Sequence, residues 1–205
     1  MRAVALSMLL LCGCGAIKPG GVPQPNVYSF AGAPDSTAPP QPALRAANAA
    51  PTLIVTPPHA AAGFDSPRIM YLRQTDKLEY FAHNEWVDTP ARMLAPMIVT
   101  AVGTSGAYRA VVITPSPASG EMRLDTEILR LQHEFLGSQS RVRFTLRAYL
   151  VESATRQVIA SRDFEAVIPA ASGDPHGGVV AAKLAVRSVL GELATFCAET
   201  ARNRR

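Results

Sequence analysis

Between Arg141 and Val151 polar and apolar side chains alternate without a break: Val142, Phe144, Leu146 and Ala148 take one parity, Arg141, Arg143, Thr145 and Arg147 the other. Successive side chains of a strand point to opposite faces, so this run is a strand with one buried and one wet face. Parallel sheets are covered by helices on both sides and read as continuous apolar runs, so the alternation calls for an antiparallel sheet with one open face. Its neighbours in sequence agree. Glu121 to Phe135 carries Met122, Leu124 and Ile128 in even positions, then Leu129, Leu131 and Phe135 in odd ones. A change of face within one strand takes one extra residue, so a β-bulge is expected near Ile128-Leu129. Val158 to Ile168 alternates again after a turn at Glu152 to Arg156, and Tyr108 to Thr114 is a strand stopped by Pro115 and Pro117.

Upstream, Thr52 to Val55 is a short β-branched run, and Arg68 to Leu72 with Leu78 to Phe81 bracket a turn at Arg73 to Lys77, a hairpin. A helix follows. Thr89 caps it, Pro90 suits its first position and Asp88 sits at the positive end of its dipole. Met93, Leu94, Met97, Ile98, Ala101 and Val102 share a face, Pro96 should bend the axis, and Gly103 and Gly106 end the helix. A long closing helix begins at Asp174 or His176, with Val179, Ala182, Val186, Val189, Leu193 and Phe196 as its apolar stripe and a basic, frayed end at Arg202 to Arg205. The expected architecture is α+β: a two-layer sandwich of a mainly antiparallel sheet with two amphipathic helices on one face, spanning 51–205.

The N-terminus has a different logic. Arg2 precedes an apolar run, Ala3 to Leu11, that is too short to span a bilayer but has the length of a signal-peptide core. Leu11-Cys12-Gly13-Cys14 resembles a lipobox, so residues 1–13 are expected to be removed and Cys14 to carry a covalent lipid. Gly15, rather than Asp, behind that cysteine favours transfer to the periplasmic face of the outer membrane. Residues 14–50 are then a Pro/Ala-rich linker that could reach on the order of 100 Å if fully extended. One strand-like island, Val27 to Phe30, breaks it and is a candidate for docking onto the domain. Cys197 would be left without an intramolecular partner, packing as a small apolar residue on the closing helix.

Little in the chain points to bond-making chemistry. His59, His83, His133 and His176 lack the spacing of a metal site, and His133-Glu134 reads as a surface or edge pair. No nucleophile elbow or phosphate loop is present; Gly103 to Gly106 is a helix-ending turn. Neither an enzyme nor any cofactor beyond the lipid on Cys14 is expected. The net charge of +4 suits anionic head groups or an acidic partner better than nucleic acid in an exported chain. Two clusters remain as contact candidates: Tyr71, Tyr80, Phe81 and Trp86, which either pack a hairpin or present an aromatic patch to a partner or lipid, and Arg141, Arg143 and Arg147 on the wet face.

From Pro51 onward the chain resembles the ABC-type transport auxiliary lipoprotein component family. The resemblance is carried by Pro67-Arg68-Ile69-Met70-Tyr71, Leu78-Glu79-Tyr80-Phe81-Ala82, Glu85-Trp86, Asp88-Thr89-Pro90-Ala91-Arg92-Met93-Leu94 and Gly106 to Val111, and extends through the paired strands and closing helix. It departs at the N-terminus, where the family usually places a first strand close to the anchor. The resemblance implies a non-catalytic lipoprotein working with an ABC permease, its ATPase and a mammalian-cell-entry (MCE) domain protein in moving lipids or other hydrophobic molecules across the envelope. A homo-oligomeric ring would suit such a subunit. The rival readings are a stand-alone envelope assembly or pilot lipoprotein and, third, a lipid-anchored hydrolase.

Overall fold

One strand, β7 (Met122–Glu134), organises everything else in the computed structural model, which describes residues 24–30 and 50–204. Along one side it pairs throughout its length, antiparallel, with β8 (Arg141–Glu152), and β8 pairs in turn with β9 (Val158–Pro169). Along the other side three strands meet it end to end, all parallel: β2 (Thr52–Val55), β3 (His59–Ala60) and β4 (Arg68–Gln74). β4 forms the expected hairpin with β5 (Lys77–Trp86), tighter than the sequence suggested, since only Thr75 and Asp76 lie between the strands. A short parallel strand, β6 (Ala110–Ile113), flanks β2. The sheet has nine strands among the described residues, and its long ladders are antiparallel.

The bulge is where the phase change placed it. The register runs Ile128↔Leu146 and then Arg130↔Thr145, so Leu129 is the extra residue. Met122, Leu124, Ile128 and Leu131 are therefore all buried on one side, against Val142, Phe144, Leu146, Ala148 and Leu150 of β8.

Both helices cover that side. In α1 (Pro90–Gly103) the Thr89 hydroxyl accepts from Arg92 N at 3.4 Å, and Leu94, Ile98 and Val102 are fully buried with Met93, Met97 and Ala101 beside them. Pro96 lies on the solvent side and the helix continues through it to Gly103. Gly106, at φ 65°, turns the chain where a side chain would be strained. In α2 (Pro175–Arg202) the Asp174 carboxylate accepts from Gly177 N at 2.7 Å, and the expected stripe is buried from Val179 to Leu193, with Phe196 half-buried against the core. Cys197 is buried without a disulfide; burial pushes its thiol up to about 12, and its carbonyl accepts from the Tyr108 hydroxyl at 2.8 Å. The helix ends at Arg202, and beyond it Arg204 forms an ion pair with Glu152 of β8.

The island in the linker docks. Asn26–Tyr28 is an edge strand, β1, parallel to β5, with Tyr28 opposite Trp86. Phe30 is buried with its ring 4.7 Å from that of Trp86, a contact that hides roughly 2 kcal/mol of apolar side chain from water. The sheet thus begins inside the segment whose composition reads as linker.

His133 overturns one expectation. It is not at a surface or edge but 2% exposed on the helix side of β7, with Phe135 at 4.2 Å and Phe81 at 6.3 Å between ring centroids. Gly178 of α2 closes over it so tightly that a Cβ there would lie 2.5 Å from Nδ1. The ring cannot swing aside, because aromatic neighbours hold it. Gly178→Ala should therefore destabilise the protein by about 1–3 kcal/mol in urea unfolding. In a His133→Ala background the same change should turn neutral or stabilising, since alanine is the better helix former; equal costs in both backgrounds would refute the contact.

Candidate functional site

Arg141, Arg143 and Arg147 do project together from the open face, as their shared parity requires, and β7 and β9 supply carboxylates against each of them. Arg147 meets Asp163 through two bonds, of 2.7 and 2.8 Å. Arg143 bridges Glu134 at 2.7 Å and Glu165 at 2.6 Å, and Arg141 reaches Glu134 at 2.9 Å. Further along β7, Arg123 folds onto Asp125 at 2.9 Å. The face is a lattice of alternating charge, in which the three arginines already hold acidic partners.

Glu134 is the centre of that lattice and was missed from the sequence. It is 4% exposed, and its side chain lies on the face of β7 opposite the His133 ring, which packs under Gly178. Burial alone would raise its pKa, but hydrogen bonds from Arg143, Gln132 (2.9 Å) and Arg141 outweigh that and bring it to about 2. The parity change at the bulge was the available signal, since it sets Glu134 opposite Arg141.

Beside this clamp lies a groove of about 430 Å³. Phe64, Leu72, Leu78 and Leu136 form its apolar wall; Arg130, Gln132, Glu134 and Arg143 form its polar floor. Phe64 and Leu136 come from connections between strands, where periodicity gives no cue to facing.

The four aromatic residues do not form one patch. Trp86 is core, under Phe30. Tyr71 and Phe81, 4.5 Å apart, close a half-buried cluster with His133 and Phe135 on the helix side. Burial keeps the His133 ring below its ordinary pKa, against the opposing pull of Asp174. Tyr80 alone is well exposed, at 47%, with the Arg68 guanidinium 4.1 Å above its ring near the groove's rim residue Leu78. Cys14 lies outside the described residues. Among the described residues, no group of three or more His, Cys, Asp or Glu is placed to hold a metal ion.

The clamp gives a pH-dependent signature. Because the folded pKa of Glu134 is depressed, its contribution is complete above the ordinary value of 4.5 and is lost as pH falls towards about 2. Arg143→Met should cost about 3 kcal/mol at neutral pH by stripping a buried carboxylate of its main partner. The deficit should shrink as pH is lowered through that window; a gap in urea midpoints that does not change with pH would refute the clamp.

Residues 34–194 match the family model described as ABC-type transport auxiliary lipoprotein component. Among solved structures the chain is similar to protein XCC0632 from Xanthomonas campestris, at 27% identity and a TM-score of 0.70, over 76% of this chain and 87% of that one. It also shares its fold with an uncharacterized protein at 12% identity and a TM-score of 0.58, covering 89% of this chain and 99% of the other. No curated protein matches. The matched span covers well over half of the sequence, and the chain belongs to the ABC-type transport auxiliary lipoprotein component family, lipoproteins of the cell envelope that serve a transport system.

Proposed function

We propose that this protein is a non-catalytic auxiliary subunit of an MCE-type ABC transport system, moving lipids or other hydrophobic molecules across the envelope. It is anchored by lipid on Cys14 to the periplasmic face of the outer membrane, and it works with an MCE-domain protein, an ABC permease and an ATPase. The observation that carries this reading is the family match over residues 34–194, in a chain whose Leu11-Cys12-Gly13-Cys14 resembles a lipobox.

The geometry supports recognition rather than bond-making. Glu134 and Asp163 are held ionised by arginines, which suits a rigid charged surface and deprives them of proton-transfer work near neutral pH. His133 is enclosed by rings and by Gly178. The open face offers a groove with an apolar wall and a neutralised floor, and Tyr80 stands exposed two residues along β5 from its wall residue Leu78, which is how an interface centre is built. We assign the partner contact to Tyr80, Arg141 and Arg147 around that groove; Arg143 shapes its floor, while Tyr71, Phe81 and Trp86 support it from the helix side.

Purification of the tagged protein from native membranes tests this. Mass spectrometry of the retained chains should find the MCE-domain protein with its permease and ATPase, and Tyr80→Asp should lower their yield about tenfold, the effect of losing one interface anchor. Lipidated protein that retains none of them would favour a stand-alone assembly or pilot lipoprotein instead.

A further inference from the structure

The outer side of α2 is unusual in its first half. Val180 and Leu184, one turn apart, are 42% and 46% exposed where a surface helix ordinarily carries polar side chains. From Pro175 to Gly191 the helix holds no acidic residue, and its cations, Lys183 and Arg187, flank those two aliphatics. Neither cation has an ionic partner among the described residues. Apolar side chains set between unpaired basic ones are what an interfacial helix presents to anionic lipid.

The course of the chain says which lipid surface lies within reach. β1 fixes Tyr28 with its ring 6.4 Å from that of His176, at the start of the stripe His176, Val180, Leu184. Only residues 15–23 separate Cys14 from the first described residue, Gln24. Those ten steps span at most roughly 35 Å, against the 100 Å or so that a wholly free linker would allow. The short segment contains Ile17, Lys18 and Val22 and no acidic residue. Leu184 lies about 12 Å along the helix from His176, well inside the tether's radius.

We infer that the first half of α2 rests on the surface of an anionic phospholipid bilayer, the one that holds the lipid of Cys14, with Val180 and Leu184 at the acyl boundary and Lys183 and Arg187 on the phosphates. The inference depends on the lipidation of Cys14 proposed above. Docking of β1 sets the distance; residues 31–49, downstream of it, do not.

The test uses the lipidated full chain in vesicles of phosphatidylethanolamine and phosphatidylglycerol, carrying Leu184→Cys with a fluorescent label, or Val158→Cys on β9 as a similarly exposed control. Buried Cys197 does not compete for the label. Quenching by nitroxide-bearing lipid should be several-fold stronger at 184 than at 158. Ten flexible residues inserted before Gln24 should weaken it roughly threefold, through the lower effective concentration, and the same insertion within 31–49 should leave it unchanged. Equal quenching at the two positions overturns the inference. So does label burial in detergent that grows with protein concentration, which would mark a contact between copies of the chain. The mass of the mature N-terminus tests the anchor separately. If Cys14 carries no lipid, sedimentation of the unacylated chain with the same vesicles decides for the stripe: binding that falls several-fold in Leu184→Gln keeps it, and no binding overturns it.

Discussion

The single extra residue in β7 is the constraint on which the rest of the architecture depends. Before Leu129 the even positions of the strand face the helices; after it the odd ones do. Because side chains alternate with a period of two, removing the bulge would invert the whole second half of the strand. Arg130, Gln132 and Glu134 would lie under α2, and Leu131 and His133 would face water. The bulge lets one long strand serve two neighbourhoods. Its first half is bordered by β2 and β3, its second by β4, and β8 follows the entire length without losing the burial of Val142 to Leu150.

A second consequence is electrostatic. With the parity corrected at Leu129, acids from β7 and β9 fall on either side of the arginines of β8, and the open face becomes neutral through pairing rather than through lack of charge. The exposed members of that lattice contribute little to stability in water. Glu134 is different, since desolvation would be costly without its three donors, and so the clamp discriminates against slipped registers of the β7–β8 pair. A face of this kind keeps fixed hydrogen-bonding directions around an apolar groove, which favours a shaped partner over diffuse attraction of any anion.

Much of this was legible in the sequence, and the limits have a physical origin. Alternation along β8, the phase change in β7, the caps Thr89 and Asp174 and the stripe of α2 are local patterns, each carried by residues a few positions apart. Which strands pair is not local. Nothing in Thr52 to Val55 announces a parallel neighbour on each side, and the groove walls Phe64 and Leu136 lie in connections with no period to orient them. His133-Glu134 was misread for a related reason: adjacent polar residues suggest a shared surface, whereas adjacent strand positions point to opposite faces. The aromatic string from Tyr71 to Trp86 was legible as a cluster but not as a division between core, helix side and open face. Tyr80 and Phe81 divide by simple alternation, and the register irregularity between Arg68 and Met70 opposite β5 then turns Trp86 into the core.

The island Val27 to Phe30 joins these threads, because it lies N-terminal to the family match, which begins at residue 34, and yet enters the sheet. Its apolar content marked it for docking; its partner, the outer edge of β5, could be known only once the hairpin was in place. Three parallel backbone pairs would be a weak attachment for a chain end, but Phe30 on Trp86 ties them to the core beneath α1 and α2. Any pull on the N-terminus therefore loads β1 along the strand axis and passes into the hairpin and the buried indole, rather than into the residues between Phe30 and Ala50. With the anchor proposed at Cys14, the same strand that lengthens the sheet shortens the tether, so the position of the domain relative to that anchor becomes a property of the fold and not of linker length alone.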